Sequence, residues 1–421
     1  MTDRADGAGQ QSGRLMLVLV VSLFFLWGIA NSLNDVLLGQ FKKAFDLTDF
    51  QSSLVQQAFY LGYFLLAMPA AALIRRRGYK AGVVLGLILY GCGALLFFPA
   101  AQARTYGMFL AALFVIASGL AFLETSANPL MTVLGPAQSA ARRLNFAQAF
   151  NPLGTLTGVL IGRNFILAPG GSPAAAPSIH SGAPLDASRA AAAHAVQLPY
   201  LVLGALVLAW AIVNACTRYA GAAGRPPAGS DLLIRFAPLL QRRRYLFGVW
   251  AQFCYVGAQV SVWSYTIRYA QHAVPGIADQ LAADYLFASL FGFMLGRFAG
   301  TALMGRYSPA RLMLSFAVVN VLLTATAALV GGPGGLLALV ATGFFMSIMF
   351  PTIFAIALEG LGPLTQAGSS LLVMAIIGGA VLTAIMGRVS DLSSIQHAMW
   401  VPAACFAMVG AYARYAARVR A

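Results

Sequence analysis

Apolar stretches of roughly twenty residues, each closed by a short polar turn, recur along the whole of this chain. As a helix, a stretch of about that length crosses the hydrocarbon core of a bilayer. The pattern predicts twelve spans, at roughly 15–38, 53–74, 81–100, 107–133, 145–168, 198–217, 245–267, 281–304, 310–330, 335–358, 366–388 and 396–417. The polar start Met1 to Arg14 runs straight into the first span, so no cleavable leader is expected. The expected fold is therefore an all-α membrane protein.

Composition agrees, because 60% of the 421 residues are hydrophobic and 9% are charged, whereas a soluble domain averages about 25% charged residues. A net charge of +15 would invite a nucleic-acid reading in a soluble protein. Its distribution argues otherwise. With the N-terminus inside, the inner turns collect Arg75, Arg76, Arg77, Lys80, Arg142, Arg143, Arg242, Arg243, Arg244, Arg306 and Arg311. The outer segments hold Lys42, Lys43, Arg104, Arg163, Arg189, Arg268 and Arg388. This skew predicts cytoplasmic termini and makes the basic excess a signal of orientation, with no nucleic-acid partner.

Cys92, Cys216, Cys254 and Cys405 fall in or beside apolar spans and read as packing residues. No Cys/His spacing fits a metal, no phosphate-binding loop is present, and no nucleophile has a base at a recognisable spacing. An enzyme and a resident cofactor are both disfavoured.

The chain divides evenly. Six spans precede a basic, Pro- and Gly-containing stretch, and six follow it. The expected division is an N-terminal half at 1–217, a cytoplasmic linker at 218–244 and a C-terminal half at 245–421. The outer segment from Ala168 to Gln197, rich in Ala, Pro, Gly and Ser, reads as a periplasmic loop.

Charge inside a span carries the functional signal, since an ionised carboxylate there costs at least a few kcal/mol unless it meets a partner, a wet cavity or a proton. Asp35 lies near the far end of the first apolar run, with Asn31 one turn away on the same face. Lys42 and Lys43 offer Asp35 a plainer fate, as a paired or solvated group at the outer interface. Glu124 lies deeper, with Asn128 one turn on. A carboxyl kept neutral by helix packing is its plainer reading. Arg297, also within a span, is expected to snorkel to the cytoplasmic interface.

Gln148 and Asn151 share a face of the fifth span, continued by Thr155. Amides both donate and accept, which suits hydroxylated ligands, although they also join membrane helices to one another. Gln259 and Trp263 make an amide-and-indole pair one turn apart on the seventh span, where Trp263 is alternatively an interfacial anchor. Phe291, Phe293 and Phe350 are candidates for one cavity wall, or for core and lipid contact. Gly154-xxx-Gly158-xxx-Gly162 and Gly292-xxx-Gly296-xxx-Gly300 predict close helix approach and carry no substrate information.

Five separated runs resemble one known family: Phe24-Phe-Leu-Trp-Gly-Ile-Ala-Asn31-Ser-Leu-Asn34-Asp35, Leu123-Glu124-Thr-Ser-Ala-Asn128-Pro, Leu144-Asn-Phe-Ala-Gln148-Ala-Phe-Asn151, Gln252 through Tyr265, and Phe350-Pro-Thr-Ile-Phe. They are similar to the fucose:proton symporter family of the major facilitator superfamily, in both halves of the chain. The resemblance implies twelve helices in two six-helix halves in the bacterial inner membrane, importing a small neutral sugar with a proton by alternating access. L-fucose, D-galactose, D-arabinose and D-glucose are the candidate sugars. Glu124 and Asp35 are the expected proton-coupling residues. Asn31, Asn128, Gln148, Asn151, Gln259, Trp263, Phe293 and Phe350 are the expected substrate residues.

The implied partners are sugar, proton and lipid bilayer, with the monomer as the working unit. Two departures bear on the sugar: Met349-Phe350 stands where the family pattern is polar, and Ser32 stands where it has an amide. Sodium-coupled or uncoupled sugar transport, and drug/proton antiport on the same scaffold, remain the alternatives.

Overall fold

The structure is a computed structural model that describes residues 16–33, 49–103, 105–161, 165, 197–217, 219 and 232–419. Its regular elements are helices, with no strand among the described residues. In chain order they begin with α1 (Met16–Leu33), α2 (Asp49–Arg77), α3 (Tyr79–Leu95), α4 (Phe97–Ala103), α5 (Tyr106–Val133), α6 (Ala140–Gln148), α7 (Phe150–Ile161) and α8 (Gln197–Cys216). They continue with α9 (Leu232–Leu240), α10 (Arg243–Ala273), α11 (Asp279–Leu303), α12 (Pro309–Leu329), α13 (Gly332–Met346), α14 (Met349–Leu358), α15 (Thr365–Met374), α16 (Gly378–Leu392), α17 (Ile395–Ala398) and α18 (Trp400–Val419).

Each expected span meets a helix. Among the described residues, 9 helical stretches are long and apolar enough to cross a membrane. The 31-residue α10 has the length as well, but Gln252, Gln259, Ser261, Arg268 and Gln271 lower its apolar character. Asn34, Asp35, Lys42, Lys43 and the segment 166–196 lie outside the described residues.

Two compact units form, one comprising Met1–Ala127 with Leu153–Pro226 and the other Asn128–Pro152 with Pro227–Ala421. Between membrane helices the hydrophobic effect gives little drive, so close packing and interhelical hydrogen bonds must do the holding. The first unit uses both. Tyr90 on α3 donates to the Leu26 carbonyl of α1 at 3.0 Å, and the Trp210 indole of α8 donates to Ser22 Oγ at 2.8 Å. On α7, Gly154 lies against the Phe25 carbonyl and Gly158 against Ser32 Oγ, leaving no room for a Cβ at either position. The small-residue spacing read from the sequence is thus a packing seam between α1 and α7.

In the second unit α10 packs against α11, α14, α16 and α18, while α12 lies along α18. Gly296 of α11 meets the Phe344 carbonyl of α13. The chain folds back after α5 through Arg143, which donates to the carbonyls of Met131, Thr132 and Pro136 at 3.3, 2.9 and 2.8 Å. The bonds to Met131 and Thr132 satisfy acceptors that the C-terminus of α5 leaves open.

At two of the helix interruptions in this unit, proline accounts for the break. The α6/α7 junction falls at Ala149, with Pro152 in the first turn of α7. The α13/α14 junction falls at Ser347 and Ile348, with Pro351 in the first turn of α14. Proline has no N–H to offer the carbonyl four residues back. The carbonyls so deprived are those of Gln148 and Ser347.

Candidate functional site

Each unit holds a group of buried polar side chains. In the first, Glu124 on α5 is 3% exposed. The Tyr63 hydroxyl, from α2, lies beside its carboxyl group. One carboxyl oxygen, Oε2, has no partner, and no cation pairs with Glu124 among the described residues. Trp27 on α1 lies beside Tyr63. Its indole N–H and the Oδ1 of Asn31, one turn on, are likewise buried and unpartnered. Ser32 turns inward along its own helix, donating to the carbonyls of Gly28 and Ile29.

A buried carboxyl beside one hydroxyl and without a counter-ion has little to stabilise its charge, so it is suited to holding a proton and releasing it only when its surroundings change. Asn31 supplies an amide acceptor on α1. Asp35, placed by the sequence on the same face, lies outside the described residues.

In the second unit Arg297 on α11 is equally buried, at 3% exposure. It does not snorkel, which corrects the expectation from sequence. Its Nε donates to the Ser347 carbonyl at 2.9 Å and its Nη1 to the Gln148 carbonyl at 2.8 Å. Those are the acceptors freed by Pro351 and Pro152. The guanidinium therefore replaces two missing backbone donors, and the Phe293 ring covers it with 4.6 Å between the guanidinium carbon and the ring centroid.

Nη1 also reaches Gln148 Oε1 at 3.3 Å, while Gln148 Nε2 donates to Asn128 Oδ1 at 2.9 Å. Asn128 Nδ2 ends this series, buried and unpartnered. Asn151 is half-buried in the first turn of α7. The break at Ala149 puts Gln148 at the end of α6 and Asn151 in α7, and Pro152 withholds the N–H that the Gln148 carbonyl would otherwise accept.

Aromatic side chains stand next to this series. Trp263 meets Phe293 edge-on at 5.0 Å, and Phe350 lies 6.3 Å from Tyr255 and 6.1 Å from Phe354. Phe291 points away and is exposed. Gln259 is half-buried on α10, one turn before Trp263. The Trp263 indole N–H, the Tyr255 hydroxyl, both polar atoms of the Gln252 amide and Asn145 Oδ1 are buried without partners. Asn145 does donate from Nδ2 to Thr352 Oγ1 at 3.0 Å.

Leaving a buried polar group unsatisfied costs about 1–3 kcal/mol, so a cluster of them calls for an explanation. Flat apolar rings beside unused donors and acceptors complement a molecule that carries both C–H faces and hydroxyls. Tyr63, Tyr255, Asn145 and Gln252 join the picture only through the structure. Arg297 was visible as a charge within a span, and its role was written in Pro152 and Pro351, each four residues beyond an acceptor that Arg297 holds. Among the described residues no group of three His, Cys, Asp or Glu side chains could hold a metal.

Residues 16–382 match the Major Facilitator Superfamily, and the chain belongs to it. Among individual proteins, it is 42% identical over 419 residues to the L-fucose-proton symporter of Escherichia coli (strain K12), covering 97% of this chain and 95% of that one. It is 37% identical over 408 residues to a glucose/galactose transporter of Brucella abortus biovar 1 (strain 9-941), covering 97% and 95%. The crystal structure of a superfamily transporter, FucP, in the outward conformation superposes with a TM-score of 0.87 at 42% identity, covering 96% of this chain and 99% of that one. A structure of the human organic anion transporter MFSD10 reaches a TM-score of 0.69 at 14% identity over 95% of this chain and 99% of that one, a likeness of fold alone.

Proposed function

We propose that this protein imports a small neutral sugar, L-fucose or a relative such as D-galactose, together with a proton, across the bacterial inner membrane by alternating access. The working unit is a monomer that crosses the membrane twelve times, with halves at 1–217 and 245–421 joined by a cytoplasmic linker at 218–244 and with both termini inside. The observation that carries this reading is Glu124, deeply buried, beside the Tyr63 hydroxyl and lacking a cation among the described residues. A carboxyl so placed is tolerated protonated, and its deprotonation requires renewed access to water. The cycle follows. Glu124 takes a proton from the periplasm, sugar binding favours closure around the neutral acid, and opening to the cytoplasm releases both.

Asp35 serves proton access or sugar affinity. Asn31, Asn128, Gln148, Asn151 and Gln259 supply hydrogen bonds to hydroxyls, while Trp263, Phe293 and Phe350 supply apolar faces. Relatives bearing the names L-fucose-proton symporter and glucose/galactose transporter support the sugar class. The Met349-Phe350 pair, both buried, offers a sugar no hydrogen bond from its side chains, so D-galactose, D-arabinose and D-glucose are tested beside L-fucose.

Proteoliposomes with an inward acid gradient should accumulate at least one of L-fucose, D-galactose, D-arabinose and D-glucose, and adding that sugar to de-energised cells should alkalinise a weakly buffered medium. Accumulation driven by sodium, or transport of a lipophilic cation with no sugar uptake, would overturn the reading.

A further inference from the structure

Arg297 does more than fill two backbone vacancies. A guanidinium offers only donors, so an amide that meets it must turn its oxygen toward it. Gln148 does so, presenting Oε1 to Nη1. Its Nε2 then necessarily points the other way, toward Asn128, and Asn128 must in turn present Oδ1 to accept the bond. Asn128 is left with Nδ2 at the free end, a buried N–H donor with no partner. One cation thus fixes the sense of two amides in succession.

We infer that Arg297 is a positioning residue which sets the polarity of the substrate site, so that Asn128 meets the ligand as a hydrogen-bond donor to an acceptor oxygen, a hydroxyl lone pair or a ring oxygen of a sugar. The inference rests on the sugar-transport reading for the identity of the ligand. It adds a residue that touches no substrate and a direction for one hydrogen bond. Without the guanidinium, both amides flip at little cost and the end of the series shows donor and acceptor in mixture, which weakens recognition without creating a clash. The Phe293 ring over Arg297 supports the assignment, since it holds the planar cation in one orientation.

The test measures sugar uptake in proteoliposomes, with L-fucose and D-galactose as probes. Arg297→Lys keeps the charge but lacks the fork that reaches two carbonyls and an amide together. It is expected to raise KM about tenfold, the loss of one well-made polar contact, while the maximal rate stays within about threefold. In an Asn128→Ala background the same substitution should raise KM by less than about twofold, because its effect passes through Asn128.

If Arg297→Lys alone does not fold, Arg297→Lys/Pro152→Ala/Pro351→Ala is read in its place. The two alanines return N–H donors to the Gln148 and Ser347 carbonyls, and this variant is expected to fold and to keep the tenfold defect. Wild-type KM in the folded Arg297 variant, an undiminished effect in the Asn128→Ala background, or a triple variant that still fails to fold would each overturn the inference. Absence of sugar uptake by the wild-type protein would instead remove the transport reading on which the probe depends.

Discussion

Glu124 and Arg297 are equally buried, each 3% exposed, yet their surroundings could hardly differ more. Glu124 has the Tyr63 hydroxyl and an idle oxygen. Arg297 has two backbone carbonyls, an amide oxygen and an aromatic face. The carboxyl can shed its charge by binding a proton, so it persists with few partners. Guanidinium cannot do that under any physiological condition, so it persists only where partners are supplied. Burial alone therefore does not identify a group that changes charge during a working cycle; the number and kind of its partners does. Asn128 lies one turn beyond Glu124 on α5, so a single helix carries both the buried carboxyl and the amide donor that has no partner.

The contrast predicts opposite responses to neutralisation. Arg297→Met removes the donors to two carbonyls at once, each worth about 1–3 kcal/mol when left unsatisfied. Thermal unfolding in detergent should show a loss of several kcal/mol or failure to reach the membrane. Glu124→Gln keeps a polar isostere beside Tyr63 and should melt within about 1 kcal/mol of wild type by the same assay. Equal melting of the two variants would break the comparison.

Next in size is Asn151→Ala, which deletes an amide from the first turn of α7 and should weaken sugar binding about tenfold in equilibrium titration. Binding equal to wild type would confine Asn151 to helix packing. Trp263→Phe should have the smallest effect. It keeps a ring against Phe293 and loses only the indole N–H, so KM should rise about two- to fivefold. An unchanged KM would leave that orphaned donor without a ligand role.

The sequence revealed the architecture because apolar length and basic turns are local signals, and each expected span meets a helix. Glu124 and the amides stood out as candidates because polar residues inside apolar runs are conspicuous. Tyr63 could not be read in this way, since a tyrosine in Tyr60-Leu-Gly-Tyr63-Phe is unremarkable until α2 is packed against α5. Arg297 was noticed and misread. Its partners lie 50 and 149 residues away in the chain, and only the fold brings them together. Yet Pro152 and Pro351 were in plain view, and asking which carbonyls they strand would have pointed to a missing donor. Polar and charged residues within spans are best read together with the prolines nearby.

The claim that Glu124 is the group whose charge changes in each cycle is tested most directly by comparing sugar counterflow with pH-driven accumulation in the Glu124→Gln protein. A permanently neutral side chain should leave exchange of sugar across the membrane near the wild-type rate, while accumulation against a gradient and sugar-induced proton uptake disappear. Asp35→Asn should lower uptake while retaining some coupling. Wild-type accumulation by a well-folded Glu124→Gln protein would contradict the account, and would move the coupling role to Asp35.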